Sequence, residues 1–179
     1  TLDTLPKREL LAGYAEILKY GIIRDAHFFD WLSSNSESII NGDKDAQSYA
    51  VIRSCALKAE IIETDEFETQ ERMLLNLGHT FGHAFEVETG YSDRLLHGEA
   101  VSIGLVVSAD LSVRLGLCPE SDLEKIRTHL NHVGLPTSLK KISTPDWSAA
   151  RLIKHMSQDK KAESGNLTFI LPEGIGKAS

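Results

Sequence analysis

Apolar residues recur at intervals of three and four along almost all of this chain, a period that restricts it to packed helices. Stretches such as "ELLAGYAEILKYGII" (9–23) and "GEAVSIGLVVSADLSVRLG" (98–116) keep that spacing for several turns, and glycines stand where helices are expected to stop. Breakers and caps predict helices over 6–22, 26–33, 45–64, 68–89 and 97–116. A further helix opens at the capping-box pattern "SDLE" (121–124) and ends by Gly134, and the last opens at "TPDW" (144–147). Thr4 is the expected cap of the first helix, with Pro6 in its first turn, where a missing N–H costs little. Only "NLTFILP" (166–172) alternates and β-branches enough for a strand, and a lone strand or hairpin makes no sheet by itself. The expected fold class is therefore all-α, a single multi-helical domain over residues 1–179 with a minor β element near the C-terminus. No GxGxxG follows a strand, so a Rossmann nucleotide-binding unit is not expected in this chain.

A net charge of −7 argues against nucleic acid as a partner, because phosphate backbones select basic surfaces, although a few local cations can still hold a small anion. No apolar run approaches the roughly 20 residues needed to span a bilayer, and no signal peptide is recognisable, so a cytoplasmic location is the expectation. Cys55 and Cys118 form no CxxC and are read as reduced, buried structural cysteines. The opening at Thr1, without a methionine and running at once into "TLPKRELLAGYAEILKYG", reads as the interior of a longer protein.

The segment "NLGHTFGHAFEVETGYSDRLLHGEA" (76–100) concentrates three histidines. Placed on one helix over 68–89, Arg72, Asn76, His79, His83 and Glu86 share a face, and Leu74, Leu75, Leu77, Phe81 and Phe85 share the other. A guanidinium fork, an amide and two imidazoles in file make a recognition surface rather than a solvated one. Gly78 and Gly82 each cost about 1 kcal/mol of helix propensity relative to Ala, which makes sense where a backbone or ligand approaches closely. His79 and His83, four apart, can chelate one metal, but the Glu of an HExxH protease is missing. His97 can fold back beside His79, and two imidazoles with one carboxylate make a metal site with an open position. Glu16 is the best carboxylate, since it lies amid Ala15, Ile17 and Leu18, where a lone charge is costly, and Lys19 follows one turn on. Lys58 lies in a stripe with Val51, Cys55 and Ile62, and Lys160 and Lys161 lie in "QDKKAESG". These cations, with Arg72, Asn76 and His83, suit a phosphate and a carboxylate.

"LPKRELLAGYAEILKYG" (5–21), "CALKAEIIETDEFETQERMLLNLGHTFGHAFE" (55–86), "HGEAVSIGL" (97–105) and "DKKAESGNLTFILPEGIG" (159–176) span nearly the whole chain. In that order they resemble the C-terminal helical domain of the 3-dehydroquinate synthase family, whose fold is shared with glycerol dehydrogenases. The resemblance implies an enzyme of the shikimate pathway that uses NAD and Zn2+ (or another divalent ion such as Co2+). It implies conversion of 3-deoxy-D-arabino-heptulosonate 7-phosphate to 3-dehydroquinate and phosphate. It implies Glu16, His79 and His97 as metal ligands. His83 is implied as a catalytic, proton-handling residue on the phosphate side rather than a fourth ligand, and Lys19 as the partner of a ring hydroxyl. Lys58 and Arg72 are implied for the substrate carboxylate, Asn76 for the phosphate side, Glu68 for an ordered water or cation, and Lys160 or Lys161, with Lys160 favoured, for the phosphate. An N-terminal NAD-binding domain, expected to be absent from this chain, would hold the dinucleotide, and relatives commonly form homodimers. Glu71, where a Gly is common, departs from the pattern and is expected to affect only a helix start. The alternatives are a related cyclase making 2-deoxy-scyllo-inosose or epi-valiolone, which takes a substrate without that carboxylate, or a metal-free helical interaction domain.

Overall fold

The computed structural model describes residues 2–64, 71–143, 146–159 and 167–179. Among them are seven α-helices: α1 (Lys7–Ile23), α2 (Ala26–Ile40), α3 (Lys44–Thr64), α4 (His79–Glu88), α5 (His97–Arg114), α6 (Glu120–Val133) and α7 (Ala149–Asp159). A short antiparallel hairpin, β1 (Pro172–Gly174) and β2 (Lys177–Ala178), closes the chain. The all-α expectation with a minor C-terminal β element holds, and no helix among the described residues is long and apolar enough to cross a membrane.

α5 organises the fold. Eleven of its eighteen residues are buried, so it is covered on all sides rather than lying on a surface. One face joins the larger core, built with Leu18 and Ile22 of α1, Phe28, Phe29 and Leu32 of α2, Leu57 and Ile61 of α3, and Ile126 and Leu130 of α6. Its other face joins a smaller core with Phe81 and Phe85 of α4 and Leu152 and Met156 of α7. Of the polar residues singled out from sequence, Glu16 and Lys19 lie on α1, His79, His83 and Glu86 on α4, and His97 opens α5.

Several local expectations are corrected. The helix expected over 68–89 is not continuous: a 3-10 segment, Glu71–Asn76, comes first, Gly78 takes a left-handed conformation (φ +79°), and α4 begins only at His79. The reason is a backbone crossing. A Cβ on Gly78 would meet the Leu105 amide at 3.0 Å, and one on Gly82 would lie 3.3 Å from the Ala100 backbone, so both glycines admit α5. The single-file stripe therefore breaks, leaving Arg72 and Asn76 on the 3-10 segment and His79, His83 and Glu86 on α4.

Thr4 lies in a 3-10 turn, and Pro6 takes the cap position of α1 with no side-chain cap. α2 starts at Ala26 as expected, capped by Asp25, which accepts the Phe28 N–H at 2.9 Å, but it runs past Ser33 to Ile40 because apolar positions continue to Ile39, which is buried in the core. Pro119 rather than Ser121 precedes α6, and the Ser148 hydroxyl opens α7 by accepting the Arg151 N–H at 3.5 Å; Thr144 and Pro145 lie outside the described residues. The strand begins later than 166–172, where Leu171 and Ser179 exchange N–H to carbonyl bonds at 2.8 and 3.0 Å ahead of the hairpin. Cys118 is buried as expected, but Cys55 is exposed, because α3 turns that side to solvent.

Candidate metal centre

Three elements deliver the candidate ligands. α1 carries Glu16 in the turn after Ala12, and the left-handed Gly78 swings the chain so that His79 opens α4. The loop after Gly90 returns the chain so that His97 opens α5. Glu16 Oε1 lies 3.3 Å from His79 Nε2 and 3.2 Å from His97 Nε2. Yet Oε1 is buried and accepts no hydrogen bond. Burying a carboxylate oxygen without a partner is costly. Ligand atoms about 2.05 Å from a tetrahedral zinc stand about 3.3 Å from one another, which is the spacing found here. The orphaned oxygen, the two nitrogens and their separations fit a divalent metal.

The tautomers fit as well. His79 Nδ1 lies 3.2 Å from the Leu77 carbonyl, which can only accept, so Nδ1 carries the proton and Nε2 offers its lone pair toward Glu16. His97 Nδ1 lies 3.1 Å from Glu86 Oε2 and is protonated for the same reason. With a metal on His97 Nε2, Glu86 would complete a carboxylate–histidine–metal arrangement, the kind that fixes ring orientation and raises ligand basicity. Sequence reading placed Glu86 on the right face but gave it no role; the available signal was a buried acid three residues after His83 on a helix otherwise lined by Phe81 and Phe85. His83, Glu86 and His97 form a second group of close donors. Glu86 in that group is already engaged with His97 Nδ1 at 3.1 Å, so it is the weaker candidate metal site. His83 instead stacks edge-on against His79 at 5.5 Å between ring centroids and lies 6.0 Å from the His97 ring.

Lys19 is buried, with Nζ 2.8 Å from Glu16 Oε2 and 2.8 Å from the Leu75 carbonyl, leaving one N–H for a further acceptor. Burial pushes its pKa down, Glu16 opposes this, and the nearby charge of Lys58 pushes it down further. Lys58 is therefore within electrostatic reach of the site, although it is exposed on α3 and not set among buried apolar neighbours as expected. Arg72 and Asn76 are half-buried on the 3-10 segment leading into His79. Glu68, Lys160 and Lys161 lie outside the described residues.

Burial tends to raise the Glu16 carboxyl, but His79, His97 and Lys19 outweigh it and hold the group well below the usual carboxylate range. The His97 imidazole is raised to about 10, first by Glu16 and then by Glu86, against the lowering effect of burial. This gives a testable pH dependence. A group raised in the folded state contributes stability that is complete below its unfolded pKa of about 6.5 and is lost as pH climbs through the folded value. The metal-free chain is therefore expected to lose Tm between pH 6.5 and 10, and His97→Gln is expected to flatten that limb in calorimetry. Equal slopes in the two proteins would contradict the assignment.

Comparison with known proteins accords with this geometry. The family described as 3-dehydroquinate synthase C-terminal matches residues 13–162. The chain belongs to that family. Among relatives of the 3-dehydroquinate synthase family, those named 3-dehydroquinate synthase from Rhodospirillum rubrum and Caulobacter vibrioides are 54% and 50% identical over 178 and 177 residues. These alignments cover 99% of this chain, and 46% and 48% of the relatives. The chain thus spans about half the length of the curated relatives it matches. A solved 2-epi-5-epi-valiolone synthase from Streptomyces hygroscopicus subsp. jinggangensis, with NAD+ and Zn2+ bound, superimposes with a TM-score of 0.84 at 30% identity. That match covers 99% of this chain and 48% of the synthase. A 2-deoxy-scyllo-inosose synthase complexed with carbaglucose-6-phosphate, NAD+ and Co2+ shares the fold at a TM-score of 0.79 and 23% identity, over 98% of this chain and 48% of that one.

Proposed function

We propose that this chain is the metal- and substrate-carrying domain, over residues 1–179, of an enzyme converting 3-deoxy-D-arabino-heptulosonate 7-phosphate to 3-dehydroquinate and phosphate, and that it works with an NAD-binding domain outside this sequence. The observation that carries the reading is the buried, unpartnered Glu16 Oε1 facing His79 Nε2 and His97 Nε2. Its support is the family membership, and the NAD+ and Zn2+ in the solved valiolone synthase.

Glu16, His79 and His97 would hold a Zn2+ or similar divalent ion, which when bound supplies Lewis-acid polarisation of a substrate hydroxyl. The remaining residues bind and orient. Lys19 has one N–H left to donate to a ring hydroxyl beside the metal. Arg72 presents a planar fork suited to a carboxylate, with Lys58 adding charge. Asn76 and His83 take the phosphate side, joined by Lys160 or Lys161, and Glu68 orders a water or cation. His83 would move a proton near the departing phosphate; its ring packing against His79 at 5.5 Å supports a place beside the metal. The carboxylate fork favours this substrate over a heptulose phosphate lacking the carboxylate, the kind that valiolone-type cyclases use.

The test is phosphate release. The chain supplied with zinc, NAD and substrate is expected to release none. Joined to its NAD-binding domain it is expected to turn over the carboxylate-bearing substrate, and to lose about 100-fold or more in kcat/KM on Arg72→Ala, as expected when a charge-assisted pair is broken. Turnover by the chain alone, or equal rates on a substrate without the carboxylate, would overturn the reading.

A further inference from the structure

Three consecutive residues at the start of α5 meet three residues of α1 spaced one turn apart. His97 meets Glu16, Gly98 packs on the backbone of Ala12, and Glu99 pairs with Arg8. Residues 8, 12 and 16 lie on one face of α1. The join is held at its far end by a two-point fork: Arg8 Nε donates to Glu99 Oε1 at 2.7 Å and Arg8 Nη2 to Glu99 Oε2 at 2.6 Å. The same guanidinium donates to the carbonyls of Asp93 at 2.7 Å and Arg94 at 3.4 Å, in the loop that delivers His97. Glu99 Oε2 also accepts the Leu96 N–H at 2.9 Å, which locks the first turn of α5. One side chain of α1 thus grips the loop before His97 and the residue two positions after it.

We propose that Arg8, through Glu99, is a positioning residue for the metal centre. It touches no ligand, and it sets the register in which His97 Nε2 faces Glu16 Oε1. This rests on the Glu16–His79–His97 reading. Geometry separates the role from ordinary surface pairing. Exposed ion pairs contribute little to stability, but this one is bidentate, its carboxylate is mostly covered, and it ends eight residues along α1 from a metal ligand. The chain contains a control of the same charge type. Arg53 pairs with Asp25, the residue before α2, with Nε at 2.9 Å and Nη2 at 2.6 Å converging on the one oxygen Oδ2, and it joins α3 to α2, which carry none of the three candidate ligands.

The experiment compares wild type, Arg8→Lys, Glu99→Gln and Arg53→Lys. Zinc affinity is read by chelator competition, and the visible absorption of the Co2+-loaded chain reports ligand geometry. All four are measured at a temperature where circular dichroism shows each fully folded. The expected result is a loss of roughly tenfold in zinc affinity for the two clamp variants, at the lower end of what outer-shell partners produce, with an altered Co2+ spectrum. Arg53→Lys is expected to leave both unchanged. Clamp variants indistinguishable from Arg53→Lys would overturn the positioning role while leaving the metal site intact. A wild-type chain that binds no zinc would overturn the site reading and the positioning role together.

Discussion

Replacing Glu16 by Gln is expected to lower zinc affinity by roughly 10²- to 10³-fold. Structural zinc sites bind with about 10–16 kcal/mol spread over their ligands, so one ligand of the set accounts for about 3–4 kcal/mol. The substitution keeps size and shape while removing the anionic oxygen toward which both imidazoles turn. It also leaves the buried Lys19 without its ion pair and removes the largest influence raising His97. Chelator competition reads the affinity directly. A Glu16→Gln chain within threefold of wild type would show that the orphaned oxygen has some other purpose.

The second large effect is expected at a glycine. A Cβ on Gly98 would fall on the Ala12 carbonyl, a backbone atom that cannot move aside as a side chain can. Gly98→Ala must therefore part α1 from α5. Overpacking of this kind costs about 3 kcal/mol, which lowers Tm by about 10 °C in a chain of this size. The same separation pulls His97 away from Glu16, so zinc affinity is expected to fall with stability. Gly13→Ala is the contrasting case on the same helix. A Cβ there meets nothing within 4 Å, and gaining helix propensity is expected to stabilise the chain by about 0.5–1 kcal/mol. Thermal melts of the two variants in parallel check both, and a Gly98→Ala chain as stable as Gly13→Ala would contradict the close crossing.

Much of this was legible in the sequence because the site's chemistry sits in compact motifs. A carboxylate isolated on an apolar helix and histidines beside glycines single out Glu16, His79 and His97 as candidates from the sequence, and the structure brings the three together. The break at Gly78 was not legible, since the apolar period runs through it unchanged. The left-handed turn exists because Leu105, some 27 residues away, needs the space. The caps expected at Thr4 and Ser121 failed because a local pattern names a residue able to cap, whereas each helix starts right after a proline whose backbone is extended, Pro6 (ψ 144°) and Pro119 (ψ 141°). Glu86 and the Arg8–Glu99 fork escaped notice because each acquires a role only through a partner on another element. Gly98 read as part of a motif, and only the crossing of α1 and α5 shows what a side chain there would strike.

The central claim is that Glu16, His79 and His97 share one metal ion. The most direct measurement is an anomalous difference map collected at the zinc absorption edge from a zinc-soaked crystal of the chain. The expected result is a single peak about 2.0–2.2 Å from Glu16 Oε1, His79 Nε2 and His97 Nε2. A peak on His83 and Glu86 instead, or zinc in the crystal with no peak between these three residues, would contradict the claim.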